Sequence, residues 1–141
     1  MIFVKIITPE KVVYQGKAYQ VTLPVSDGEV TILPKHRSYI ASLKAGEILT
    51  KDKNGKELVD LAVAGGFVEF HKDYLTVLAD AAERAEEIDM QKAEEARRRA
   101  EELMQRKIID ENEYARVAAA LEVELAKIKV AKKYLKEKGI L

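Results

Sequence analysis

The 141-residue chain has no cysteine and no tryptophan, only three prolines, seven glycines and two histidines, and no net charge. Without cysteine it can form no disulfide, present no thiolate nucleophile and hold no cysteine-ligated metal. His36 and His71 leave few ligands for any other metal site, and none is expected. No apolar run approaches the roughly 20 residues a bilayer span needs, so neither a transmembrane helix nor direct membrane insertion is expected. The 24 basic and 24 acidic residues cancel, which removes any overall field for nucleic acid or an anionic surface. The opening stretch Met1-Ile-Phe-Val-Lys-Ile-Ile-Thr8 alternates like a strand and lacks the apolar core and small-residue cleavage site of a secretion signal. Catalytic motifs are missing too. There is no Gly-x-x-x-x-Gly-Lys-Ser/Thr loop, and neither histidine sits in a nucleophile motif with Ser26, Ser38 or Ser42. The sequence is read as non-catalytic, with no obligatory cofactor.

What is present falls into two halves. All three prolines and six of the seven glycines precede residue 84; beyond it only Gly139 remains, and the text becomes Ala, Glu, Lys, Arg and Leu, which are helix formers. The division expected is an α+β chain in two segregated parts, 1–84 an antiparallel β-sandwich or barrel and 85–141 an antiparallel two-helix hairpin. In the first half, short β-rich runs recur between turn signals at Phe3 to Ile7, Val12 to Tyr14, Tyr19 to Leu23, Val30 to Leu33, Tyr39 to Leu43, Glu47 to Thr50, Leu58 to Ala62, Phe67 to Phe70 and Tyr74 to Leu78. Asn54-Gly55 predicts a type I′ hairpin turn, with both central residues at positive φ. Gly65-Gly66 predicts a bulge or a close backbone approach.

In the second half, Ala93, Ala96, Ala100 and Leu103 share one helical stripe, and Tyr114, Ala118, Leu121, Leu125, Ile128 and Leu135 share another. Asp89 and Asp110 are the N-cap candidates, the latter in Asp-Glu-Asn-Glu113. The short link around Lys107 to Glu111 predicts an antiparallel hairpin. An alanine stripe removes little apolar area from water, at about 25 cal/mol per Å², so the closed hairpin is expected to be weakly held and able to extend.

Several segments, in order, resemble the epsilon-subunit family of bacterial and plastid F-type ATP synthases. They are Ile7-Thr-Pro-Glu-Lys-Val-Val-Tyr14, Asp27-Gly-Glu-Val-Thr-Ile-Leu-Pro-Lys-His36, Val63-Ala-Gly-Gly-Phe-Val-Glu69, Leu75-Thr-Val-Leu-Ala-Asp80 and Glu87-Ile-Asp89. The resemblance runs the length of the chain. It implies a rotor part of the central stalk, bound to a gamma subunit and to the c-subunit ring, with a helical arm that restrains ATP hydrolysis by the catalytic head. It also implies a peripheral place on the cytoplasmic face of a bacterial plasma membrane, or on a plastid thylakoid. A generic sandwich-plus-hairpin adaptor, or an ATP sensor outside any synthase, is the alternative.

Three groups of residues follow from the resemblance, each with a plainer explanation beside it. Glu29 and His36 match positions that face the c-ring; alternatively they are a turn residue and a solvated loop histidine. Glu83, Ile88, Asp89, Lys92, Ala93 and Arg99 overlap the family's ATP-binding pattern Ile-Asp-x-x-Arg-Ala, with Lys92 in place of the arginine and no arginine pair around Glu122 to Lys127. ATP is therefore expected as a weakly bound regulatory ligand; alternatively Asp89 is a helix cap and Arg97-Arg98-Arg99 a solvated face pairing with nearby glutamates. Lys127, Lys129, Lys132, Lys133 and Lys136 form a basic stretch that, in the family, meets an acidic region of a beta subunit when the arm extends. Macrodipole capping accounts for some of these lysines. Nucleic acid is not expected, because no aromatic platform accompanies them.

Overall fold

The computed structural model describes residues 1–106 and 110–141. Ten strands come first: β1 (Ile2–Ile7), β2 (Val12–Ala18), β3 (Gln20–Val25), β4 (Gly28–Ile32), β5 (Tyr39–Leu43), β6 (Gly46–Lys51), β7 (Glu57–Val63), β8 (Gly66–His71), β9 (Tyr74–Ala79) and β10 (Ala82–Arg84). A 3₁₀ turn at Ala85–Glu87 leads to two helices, α1 (Met90–Met104) and α2 (Glu111–Glu137). The strands run in the order β10-β7-β6-β3-β5-β8-β9-β1-β2, with β4 also paired to β3. All pairings are antiparallel except β1 with β9. The path folds over at β3, which meets β5 through Val25 opposite Leu43, so β10, β7 and β6 form one wall and β8, β9, β1 and β2 the other.

Period-2 alternation builds the core. In β1, Ile2, Val4 and Ile6 point inward while Phe3 and Lys5 point out. Phe70, Leu23, Leu61, Ile48 and Ile32 meet them between the walls. One polar side chain is fully buried there: at a bulge between β6 and β7 the Thr50 hydroxyl accepts the Val59 N–H at 3.1 Å, where the ladder register slips.

All nine expected strands are found; the tenth, Ala82–Arg84, lies at the boundary the composition marked, too short and too evenly half-buried to alternate. The turn at Asn54-Gly55 differs from expectation. Only Gly55 has positive φ, because Asp52 Oδ1 accepts the N–H groups of both Asn54 and Lys56, and this side-chain scaffold replaces the type I′ geometry. Lys72 and Asp73, between β8 and β9, are a consecutive non-glycine pair at positive φ instead. Gly66 does mark a close approach: at φ +135° a Cβ there would collide with the Leu78 carbonyl oxygen.

The helices begin where their caps predict. Asp89 accepts the Lys92 N–H and Asp110 accepts the Glu113 N–H. Ala96 and Arg99 share a cavity with Glu124 and Lys127, while Glu94 lies in the field of Lys132, so the two helices pass each other antiparallel. The expected link falls on residues 107–109, outside the described residues, apart from Asp110 and Glu111. On α1 the alanine stripe is buried at Ala93 and Ala100. On α2 the buried positions are Ala126, Ile128, Val130 and Ala131, and the expected seam residues Tyr114 and Leu125 are exposed. The reason is that α2 has two neighbours: besides α1 it packs against β6 and β7, so its apolar positions are shared between two faces rather than aligned on one.

Candidate functional site

Where sandwich, α1 and α2 converge there is a cavity of about 410 Å³, within the size range of small-molecule sites. Each element supplies its part for a local reason. β10 pairs with β7, setting Glu83 opposite Ala62 at the sheet margin. The 3₁₀ turn then packs Ile88 onto the small cluster of Ala62, Ala85 and Val130. Asp89 caps α1 through Lys92 N at 3.1 Å, which fixes the start of the helix and so the phase of everything after it. Lys92, Ala93, Ala96 and Arg99 then recur at three- and four-residue spacing on the face that looks into the cavity.

All six residues that the sequence selected for a nucleotide, Glu83, Ile88, Asp89, Lys92, Ala93 and Arg99, line this one cavity. Sequence reasoning missed Glu95, Ala96 and Glu124, and it placed Lys127 elsewhere. The helical spacing from Lys92 to Arg99 could have revealed Ala96. Glu124 and Lys127 arrive from α2 through tertiary packing, within the segment Glu122 to Lys127 where the resemblance looks for an arginine pair. Lys127 Nζ lies 3.0 Å from Glu83 Oε1 and 3.7 Å from Glu124 Oε1. Burial disfavours its charge, but the two carboxylates more than offset that, and its pKa is raised.

The chemistry of the lining is that of a binding site. Buried Ala93 gives a flat wall that a base could lie against, and the exposed Lys92 and Arg99 are donors for phosphate. Carboxylates outnumber cations by one around the rim, and Lys127 is already engaged, so a polyanion is met by few free positive groups. Among the described residues no cluster of three or more His, Cys, Asp or Glu could hold a metal ion.

Glu29 and His36 are not brought together. Glu29 is exposed at the turn end of β4, opposite Pro24, and His36 lies beyond the other end of that strand. His36 is half-buried rather than solvated: its ring meets Tyr39 and Phe70 edge-on at 6.0 and 5.9 Å, and its Nδ1 is 2.7 Å from the Arg37 carbonyl. The loop that carries it is tied down from Lys35 N to Asp73 Oδ1 at 2.7 Å and from Ser38 Oγ to His71 Nδ1 at 2.8 Å.

The five lysines of the basic stretch do not form one open face. Lys127 turns into the cavity, Lys129 and Lys133 turn to carboxylates of β6 and β7, and Lys132 and Lys136 are exposed.

The fold and cavity define a class: a β-sandwich carrying a two-helix arm, with a ligand-sized cavity where they meet. The family description "ATP synthase, Delta/Epsilon chain, beta-sandwich domain" matches residues 1–85, and "ATP synthase, Delta/Epsilon chain, long alpha-helix domain" matches residues 86–132. The chain belongs to the ATP synthase delta/epsilon chain family. It is 39% identical over 130 residues to the ATP synthase epsilon chain of Thioalkalivibrio sulfidiphilus, covering 92% of each chain. It is 42% identical over 128 residues to that of Dehalococcoides mccartyi, covering 91% of this chain and 90% of the relative. Its fold resembles a chain in the cryo-EM structure of the Euglena gracilis mitochondrial ATP synthase (OSCP/F1/c-ring, rotational state 1), with a TM-score of 0.78, 22% identity, and 92% and 80% of the two chains covered. It also resembles one from the central stalk/c-ring of the Tetrahymena thermophila enzyme, with a TM-score of 0.60, 15% identity, and 92% and 96% covered.

Proposed function

We propose that this chain is a non-catalytic rotor subunit of an ATP synthase, in which residues 1–84 anchor it to the central stalk and residues 85–141 form an arm that reports nucleotide and restrains ATP hydrolysis. The family and the epsilon-chain relatives support the synthase role, and they leave the unrelated adaptor without support. The observation that carries the regulatory part is the cavity itself. Its walls come from β10, α1 and α2 together, so a nucleotide lodged there touches the sandwich and both helices and favours the closed arm by mass action.

The anchoring surface follows from exposed apolar side chains. Phe67 and Leu78 face each other on the outer side of β8 and β9 at 59% and 54% exposure, and Ile40 on neighbouring β5 is 75% exposed. They lie on the wall away from the arm, and a patch of that kind marks a protein interface. The gamma subunit is assigned to it. Glu29 and His36 are assigned to the c-ring, and the exposed Lys132 and Lys136, with Lys129 and Lys133 once released, to an acidic region of a beta subunit. The chain then sits peripherally on the cytoplasmic membrane face, held by protein contacts.

Isothermal calorimetry on the whole chain tests the ligand. ATP should bind with a Kd of roughly 0.1–1 mM, weak because the rim offers few free cations. Arg99→Ala should abolish the heat. No heat at millimolar ATP removes the sensing role and leaves the stalk role standing.

A further inference from the structure

Away from the cavity, α2 meets the sandwich a second time. Lys133 Nζ lies 2.9 Å from Glu47 Oε2, 3.1 Å from Asp60 Oδ2 and 3.4 Å from Glu57 Oε1, and Lys129 Nζ lies 3.7 Å from Glu47 Oε1. The carboxylates come from two adjacent strands. Leu49 opposes Asp60 and Glu47 opposes Ala62, which makes Glu47 and Asp60 diagonal neighbours on the side that α2 covers. Both are largely removed from water, at 15% and 10% side-chain exposure. One helical turn from Lys133, fully buried Val130 closes against Ala62 and Ala85 with Tyr134 beside it, so a cation and an apolar plug dock side by side.

We propose that Glu47, Glu57 and Asp60 form a receptor for Lys133 that holds the arm on the sandwich without nucleotide, and that an acidic partner must compete with this receptor before it can recruit the arm. The second half rests on the reading of the arm as mobile. Two physical points carry the first half. Carboxylates this close and this dry repel one another, and a single ammonium relieves that repulsion only while α2 stays docked. The apolar contact beside it is one valine among alanines, far less than a sandwich wall buries, so the charged contact has weight in deciding whether the arm stays down. The lysines an acidic surface would attract are then partly sequestered: Lys129 and Lys133 already have acidic partners, supplied by the same chain.

Because the chain has no cysteine, a spin-label pair can be introduced at exposed Asn54 and Glu122 of the whole chain and its distance read without nucleotide. The parent should give one narrow distance. Lys133→Glu should raise the separated population about tenfold or more, and Lys133→Met by a smaller factor. Adding Glu47→Lys to Lys133→Glu should restore the narrow distance. Separation without a change in the melting of the sandwich distinguishes a latch from a general loss of stability. An unchanged distance in both Lys133 variants, or failure of the charge swap to restore it, overturns the receptor. For the competition, a polyglutamate peptide should bind the Glu47→Gln chain about fivefold or more tighter than the parent, and equal affinity overturns that half. None of these measurements uses nucleotide, so a failure of ATP binding leaves them unaffected.

Discussion

Among the described residues, the sandwich gathers eighteen buried apolar side chains into one cluster, whereas the seat of the arm on it gathers three, two of them alanines. The sandwich is held by hydrocarbon taken out of water, a force that is non-directional and insensitive to pH or to a soluble competitor. The arm's seat instead relies on ion pairs, Lys127 with Glu83 and Lys133 with Glu47, Glu57 and Asp60, that depend on protonation and on what other charges are offered. The proposed function would use this division, since an anchor on a rotor has to survive torque and a regulatory arm has to be reversible. Substitutions that act on one kind of contact should therefore leave the other nearly untouched.

The largest effect is expected in the anchor. Phe70, 1% exposed, fills the space between the walls, and Phe70→Ala should lower unfolding stability by about 3–5 kcal/mol in denaturant titration. The proposed response of the arm to nucleotide should survive at temperatures where the sandwich remains folded. Next comes Thr50→Val, which keeps the shape but removes the acceptor for the Val59 N–H in a fully buried place. A buried amide left unpaired costs about 1–3 kcal/mol, and hydrogen exchange at Val59 should report the loss directly.

A smaller, pH-dependent effect is expected at the seat. Burial and the neighbouring Glu47 carboxylate push the Asp60 carboxyl up from 3.8 to about 7, with Lys133 opposing. Glu47 is held below its ordinary value: burial works against ionisation, but the Asp60 hydrogen bond and the ammoniums of Lys133 and Lys129 outweigh it. Glu57 completes the set of charges that face Lys133. With the arm docked, Asp60 retains a proton that a released, hydrated Asp60 gives up. The Asp60 contribution to docking is therefore whole below pH about 4 and is lost as pH rises through about 7, whereas the Glu47 contribution is present above its ordinary 4.5 and is lost as pH falls. Docking is then strongest at mildly acidic pH between the two, weakens as pH rises from there toward about 7, and levels off above that. Asp60→Asn supplies a permanent neutral donor to Glu47. It should flatten this slope and, above pH about 7, tighten docking by about 1–2 kcal/mol, read as the spin-label distance against pH. An identical slope in the variant would return the seat to the ranks of ordinary surface ion pairs.

The same contrast explains what could be read from the letters. Ile2, Val4 and Ile6 announce β1 by alternation, and Asp89 and Asp110 announce their helices by capping, because these are rules of local geometry. The six cavity residues were legible only because a sequence pattern travels with them. Lys127 and Glu124 join that cavity, and Glu47 and Asp60 meet Lys133, through packing of segments far apart in the chain. One trace was available: an aspartate in the middle of β7 is disfavoured in a strand and asks for a partner. The misjudged seam on α2 has a related cause. Period 3.6 identifies an apolar face but not how many neighbours divide it, so Leu125 was assigned to a seam while Val130 packed against the sandwich.

The finest test separates cap from contact at Asp89. Asp89 and Asp110 both accept the N–H of the third residue of their helices, at 3.1 and 2.8 Å, and losing either cap should cost about 1 kcal/mol of helix stability. Only Asp89 also lines the cavity. If its charge touches nothing but Lys92 N, then Asp89→Ala and Asp110→Ala should weaken ATP binding alike, by loosening the arm. If it also meets the ligand, Asp89→Ala should weaken binding about tenfold more than Asp110→Ala. Asp89→Asn, an equally good cap, should then recover the helix but not the affinity, because asparagine keeps the cap's acceptor while removing the carboxylate charge. Equal calorimetric affinities for Asp89→Ala and Asp110→Ala would make Asp89 a determinant of helix phase alone.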